Sequence, residues 1–176
     1  HRGYKLGIGT TLDFYFINNW PQNMLVLQIN ESFLDDSWHY AVATHDGSSD
    51  ETGVNIFIDN VLKEHSVHTN TLSATTVNDL PFKIAGTGLI DEVTIWNEAL
   101  TASEITALYN SGNGLDASSN SGNYTSSANL QGYWNFNEGT GTTITDQTSN
   151  GNNGTINGAT WAFPSTTVDY SNVTGS

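Results

Sequence analysis

Apolar and polar side chains alternate in short bursts along this chain, and turn-forming residues separate the bursts. In Thr11–Ile17, Leu12, Phe14 and Phe16 fall on one side of an extended backbone, with Asp13 and Tyr15 on the other. That two-residue period is the mark of a strand with one buried face. Met24–Ile29 is a nearly continuous apolar run. Trp38–Thr44 alternates Trp38, Tyr40 and Val42 against His39, Ala41 and Ala43, while Val54–Leu62 sets Ile56 and Ile58 opposite Phe57 and Asp59. Ile90–Trp96, Gln131–Asn137 and Thr155–Trp161 complete the set. Strands this numerous and this short predict an all-β sandwich or barrel.

One stretch breaks the period. Thr101-Ala-Ser-Glu104 has the spacing of a capping box, in which the Thr hydroxyl accepts from the Glu amide and the carboxylate reaches back. Ile105, Leu108 and Tyr109 follow at helical spacing, and Gly112 stands where a left-handed C-terminal glycine belongs. The pattern predicts one short helix. After it, residues 113–129 lose nearly all apolar content to Ser, Asn and Gly, a composition that reads as a linker. The expected division is therefore 1–112, a linker at 113–129, and a second piece at 130–176.

The charge balance narrows the partners. Eighteen acidic residues stand against 4 basic ones, for a formal net charge of -14. A phosphate backbone needs a basic surface, so nucleic acid is not an expected partner, and an anionic membrane would repel the chain. No apolar run approaches the ~20 residues that span a bilayer, so membrane insertion is not expected either. With 36% hydrophobic and 11% aromatic residues the chain can nonetheless build a core. It has no cysteine, which excludes disulfides, thiolate metal sites and a cysteine nucleophile. A first residue that is His rather than Met suggests a piece of a longer protein.

Three motifs then carry a family resemblance. Residues 89–112 (LIDEVTIWNEALTASEITALYNSG) resemble the closing strand and helix of a LamG-like jelly roll, of the concanavalin A-like lectin/glucanase superfamily. Upstream, SWHYAVATHDG (37–47) and NIFIDNV (55–61) resemble that family's central strand pair, with Asn60 where glycine is usual. Asn tolerates the left-handed region, so the departure is mild. Residues 130–161 resemble the opening of the same domain type, not a continuation of the first. The resemblance implies an all-β, concanavalin A-like jelly-roll sandwich with one short helix. The chain reads as the C-terminal part of one domain followed by the N-terminal part of another, unless 130–176 supplies strands that complete the first. In either case residues 130–164 are expected to pack against something, through Trp134, Phe136 and Trp161.

Members of the superfamily commonly hold one Ca²⁺ through an aspartate at the start of the closing strand. The matching residue is Asp91, with Asp146 a second candidate. The related glucanases carry their catalytic carboxylates on one strand as Glu-x-Asp-x-Glu or a close variant, and that pattern is missing. Asp35-Asp36 and Asp91-Glu92 are adjacent, which places neighbours on opposite strand faces or in a loop. His39, His45, His65 and His68 show no metalloprotease-type spacing and read as structural.

Aromatic side chains are the candidate sugar platforms. Trp20, among Asn18, Asn19, Pro21, Gln22 and Asn23, is the best placed, and Asn19 and Asn23 are its candidate polar companions. Tyr15 and Tyr40 are expected to face outward, and Trp38, Trp96, Trp134 and Trp161 to be buried. The sequons at Asn30, Asn123, Asn153 and Asn172 arise readily by chance in so Asn- and Thr-rich a chain. The reading that results is a non-catalytic, extracellular or cell-surface binding and adhesion module, calcium-stabilised and glycan-binding. Its partners would be a glycan or cell-surface polysaccharide and neighbouring domains or copies. The alternatives are an accessory carbohydrate-binding module of a polysaccharide-degrading enzyme and a structural stalk or filament spacer.

Overall fold

A computed structural model describes residues 3–8, 11–74, 76, 82–84 and 88–162. The chain from residue 163 onward, including the Asn172 sequon, lies outside them. Two compact units divide the chain: His1–Thr87 with Trp96–Leu130, and Gly88–Ile95 with Gln131–Ser176. No helix among the described residues is long and apolar enough to cross a membrane.

The first unit runs through β1 (Gly3–Ile8), β2 (Leu12–Asn19), β3 (Asn23–Ile29), β4 (Ala41–His45), β5 (Val54–Ile58), β6 (Val61–Lys63) and β7 (Ser66–Asn70). These form two antiparallel sheets, ordered β1-β2-β3-β7 and β4-β5-β6. The expected alternation decides how they meet. Leu12, Phe16, Leu25, Leu27 and Ile29 of the first sheet share one buried cluster with Val54, Ile56 and Ile58 of the second, closed by Leu72. Each such side chain removed from water contributes about 1.5–3 kcal/mol. The apolar run of β3 has a simple cause: its other face is buried too, where Ile17, Met24 and Val26 pack with Tyr15.

Val54–Leu62 is two strands, not one. Asp59 (φ 50°) and Asn60 (φ 66°) both take positive φ and reverse the chain between β5 and β6. A two-residue hairpin turn of this kind needs positive φ at both positions, which Asp and Asn tolerate. Helix α1 (Ala102–Tyr109) begins on Thr101 with both halves of the capping box formed. It stops at Asn110 (φ 46°), and Ser111 and Gly112 continue in positive φ, so the chain leaves the helix two residues before the expected glycine. Thr106 Oγ1 donates to Asn60 Oδ1 at 2.8 Å and the Tyr109 ring lies 5.9 Å from that of Tyr40. These contacts dock α1 beside the β5–β6 turn.

The stretch read as a linker, 113–129, is packed rather than free. Tyr124 is fully buried, and Ala117 and Ser126 nearly so. The Tyr124 hydroxyl donates to the Ala117 carbonyl at 2.8 Å and accepts from Trp96 Nε1 at 3.0 Å. Side-chain and turn hydrogen bonds do here what apolar burial does elsewhere, which composition alone does not reveal.

The second unit contains β8 (Val93–Trp96) paired with β9 (Leu130–Trp134), the last residue of one and the first of the other carrying into the first unit. Beyond them lie β10 (Thr143–Ile144) and β11 (Gly154–Thr155), paired antiparallel. The strand expected over Thr155–Trp161 is thus only its first residue, since Gly158 (φ 82°) turns the chain. Tyr133 and Trp134 are buried, whereas Phe136 and Trp161 are half-buried. Trp134 Nε1 donates to the Asn152 carbonyl at 2.9 Å and Trp161 Nε1 to that of Gly141 at 3.0 Å.

Candidate functional site

The β2–β3 hairpin carries the first aromatic site. Asn19 and Asn23 are register partners, leaving Trp20, Pro21 and Gln22 at the tip. Trp20 is 48% exposed. Its ring centroid lies 6.1 Å from that of Tyr15, tilted by 52°. Tyr15 has Lys5 Nζ 5.2 Å from its ring centroid, because Lys5 and Tyr15 are register partners on β1 and β2. Its hydroxyl donates to Asp13 Oδ2 at 3.4 Å, and Gln28 Nε2 donates to Asp13 Oδ1 at 2.8 Å. Burial, and then the Asp13 carboxylate, push the Tyr15 hydroxyl pKa up.

Of the companions named for Trp20, Asn19 is exposed and Asn23 is half-buried and held by a distant partner. The Asn23 amide is locked against Ser73, donating to Oγ at 2.9 Å and accepting from the Ser73 amide at 3.0 Å. A further polar pair lies at Asp13 and Gln28. The alternation in Thr11–Ile17 already placed Asp13 on the face of Tyr15, but only strand pairing brings Gln28 opposite Asp13. Tyr40, expected to face outward, packs on Tyr109, and burial pushes its hydroxyl pKa far up.

A second exposed indole stands in the loop joining β3 to β4. Trp38, expected to be buried, is 63% exposed, and Leu34 beside it 64%. The strand begins only at Ala41, so the alternation that put Trp38 on a buried face does not reach it. His39 fixes this loop. Its Nδ1 lies 2.7 Å from Asp59 Oδ2 and its Nε2 3.0 Å from Asp35 Oδ1. Carboxylate oxygens only accept, so both contacts are hydrogen bonds when the ring is protonated on both nitrogens. Hydrogen bonds to Asp59 and Asp35 accordingly raise the His39 pKa, and His39 lowers that of Asp35. Asp59 Oδ1 also accepts from the Tyr40 amide at 2.9 Å, and Asp35 Oδ1 from the Ser37 amide at 3.0 Å.

The two metal candidates differ sharply. Asp146 is 5% exposed, and each carboxylate oxygen accepts two hydrogen bonds. Oδ1 takes the Tyr133 and Thr148 amides, both at 3.0 Å. Oδ2 takes the Thr148 hydroxyl at 2.9 Å and the Asn152 amide at 2.8 Å. A carboxylate has about four lone-pair sites, and all are filled. Burial works to raise the Asp146 pKa, but these bonds outweigh it and the net shift is downward. Asp146 is a loop staple and does not fit a metal ligand. Asp91 is exposed and accepts from the Glu92 amide at 3.0 Å, which leaves it open to a surface cation. Among the described residues, no group of three or more His, Asp or Glu could hold a metal ion.

A family model described as the concanavalin A-like lectin/glucanases superfamily matches residues 2–106. No curated protein and no solved structure matches the chain.

Proposed function

The chain belongs to the concanavalin A-like lectin/glucanase superfamily, and from that premise we propose that it is a non-catalytic glycan-binding module of a secreted or cell-surface protein. The superfamily holds both hydrolases and lectins, so the choice between them rests on residues. Glycoside hydrolysis needs an acid and a second carboxylate facing one bond, about 5–10 Å apart and free to act. Four of the carboxylates have other employment. Asp146 staples a loop, Glu104 caps a helix, and Asp35 and Asp59 hold His39.

The observation that carries the glycan reading is the exposed Trp20 ring beside Tyr15, with Asp13 and Gln28 on the same sheet face. Sugars present apolar C–H faces that stack on such rings and hydroxyl edges that suit carboxylate and amide groups. Calcium belongs to the proposal through Asp91 only, as a stabilising ion held with backbone carbonyls.

Titration of the intact chain with soluble β-glucan, xylan and mannan oligosaccharides tests this. Trp20→Ala is expected to weaken binding about tenfold for whichever glycan binds. Release of reducing ends from any of them, lost on replacing one carboxylate, would overturn the non-catalytic reading. A panel with no binder would overturn the glycan reading.

A further inference from the structure

We propose that the loop joining β3 to β4 is a second saccharide site, built around Trp38, and that it takes a cationic amino sugar of the de-N-acetylated hexosamine class. The proposal rests on the glycan reading but uses different residues and a different face of the ligand's chemistry.

The loop carries an exposed indole next in sequence to a clamped histidine. His39 is clamped between Asp59 and Asp35, and the Phe33 ring meets the imidazole edge-on at 5.4 Å. Lys63 Nζ in turn lies 5.9 Å from the Phe33 ring centroid while pairing with Glu31 at 2.6 Å. In the same loop Trp38 and Leu34 stand open to solvent, at 63% and 64% exposure. Two apolar side chains on a short loop offer far less than the ~800 Å² per partner of a stable protein interface. They do match the area of one or two sugar rings.

Charge then selects among sugars. Asp36 is exposed, and its carboxylate makes no hydrogen bond among the described residues. Asp35 keeps one oxygen clear of the clamp, because both of its bonds fall on Oδ1. Two cations lie close by and both are already paired, Lys63 with Glu31 and protonated His39 with Asp59 and Asp35. The whole chain carries -14. Such a surface repels uronate and sulfated glycans and is indifferent to neutral ones. It attracts an ammonium group, which an indole face also favours through its quadrupole. An amino sugar combines a stacking face with that ammonium.

The test is calorimetric titration of the intact chain with a fully deacetylated glucosamine hexamer and with the N-acetylated hexamer, at mildly acidic pH where the amines are charged. The deacetylated hexamer is expected to bind about tenfold or more tightly than its acetylated twin, and to weaken as salt rises. Trp38→Ala should remove that binding and Trp38→Phe should retain most of it. Asp36→Asn should lower the affinity several-fold at unchanged melting temperature, and Trp20→Ala should leave it alone. Equal affinity for both hexamers would overturn the amino-sugar site and leave the glycan reading standing. Deacetylated-hexamer binding that ignores Trp38→Ala and Asp36→Asn would be diffuse attraction to an acidic chain, and would overturn it too. A lysine-rich peptide of equal charge that binds more tightly through Trp38 would assign the loop to a protein partner instead. If neither hexamer binds while β-glucan or xylan does, only this inference fails; if no saccharide binds, both readings fail.

Discussion

The carboxylate of Glu104, on the first turn of α1, accepts the hydroxyl of Ser126 across twenty-two residues of chain. The same side chain accepts from the Thr101 amide and hydroxyl on Oε2, and from the Thr125 amide and hydroxyl on Oε1. One side chain thus completes the helix cap and anchors the packed 113–129 stretch. Burial works to raise its pKa, but the bonds from Ser126, Thr101 and Thr125 outweigh it and hold the carboxyl at about 2.

That depression sets a pH window. A carboxyl lowered on folding contributes stability that is full above its ordinary value of 4.5 and is lost as pH falls toward about 2. The contribution is on the order of 2–3 kcal/mol. Glu104→Gln should lower the melting temperature at neutral pH and flatten the decline in the acid range. A melting temperature that falls in parallel for both proteins between neutrality and strong acid would contradict this.

His39 has the opposite sign. Its pKa is raised, so the clamp is complete at and below the ordinary histidine value and is lost as pH rises through the folded pKa. On deprotonation one ring nitrogen faces a carboxylate lone pair to lone pair. The Asp35 contact should yield first, since the Asp35 side chain is 55% exposed and that of Asp59 36%. Hydrogen exchange of the Leu34–Trp38 amides should therefore quicken with pH beyond its intrinsic slope, and Asp35→Asn should remove most of the excess. Protection that follows the intrinsic slope alone would refute the clamp.

In the second unit, a methyl group at Gly132 would sit 2.5 Å from Trp134 Cη2, where the indole folds back along its own strand. Gly132→Ala should force that ring aside, disturb its bond to Asn152 and cost about 1–3 kcal/mol in urea unfolding. Combined with Trp134→Leu the loss should be less than additive, because the clash and the ring are then removed together. Full additivity would show that the glycine serves some other purpose.

Calcium separates the two aspartates. Asp146→Asn is expected to destabilise the protein by about 1–3 kcal/mol whether or not calcium is present, because amide nitrogen cannot accept the bonds it replaces. Calcium is expected to raise the melting temperature, and Asp91→Asn should abolish that rise while leaving the calcium-free protein unchanged. If EDTA shifts neither the wild-type nor the Asp91→Asn curve, the calcium proposal falls.

Much of the fold was legible because its rules are local. The two-residue period of Thr11–Ile17 put Leu12 and Phe16 in the core, and Thr101 with Glu104 marked the helix start by spacing alone. Where periodicity outran the strand, it misled. Trp38 fell in step with Tyr40 and Val42, yet the sheet begins only at Ala41, and Trp38 stands outside it, directly after a bend at 35–37. Composition misled at 113–129, since Tyr124 and the hydroxyls of Thr125 and Ser126 act through single contacts that an average over Ser and Gly hides. Asp91 and Asp146 look alike as letters. Only the count of amides around Asp146 tells a staple from an open carboxylate. That Asn23 is tied to Ser73 was illegible for a similar reason, because the partner lies fifty residues away.

β8 lies within the segment that the family model matches, residues 2–106, whereas its ladder partner β9 begins at Leu130, beyond that segment. The stretch of chain that the family model recognises is therefore shorter than the stretch that must be made for β8 to have its partner. A gene trimmed to the module would yield β8 with a bare row of amides and carbonyls, ready to accept the first compatible strand that another molecule offers. For anyone shuffling such modules, the safe place to cut lies past the hinge of heredity, after the β10–β11 pair rather than before it.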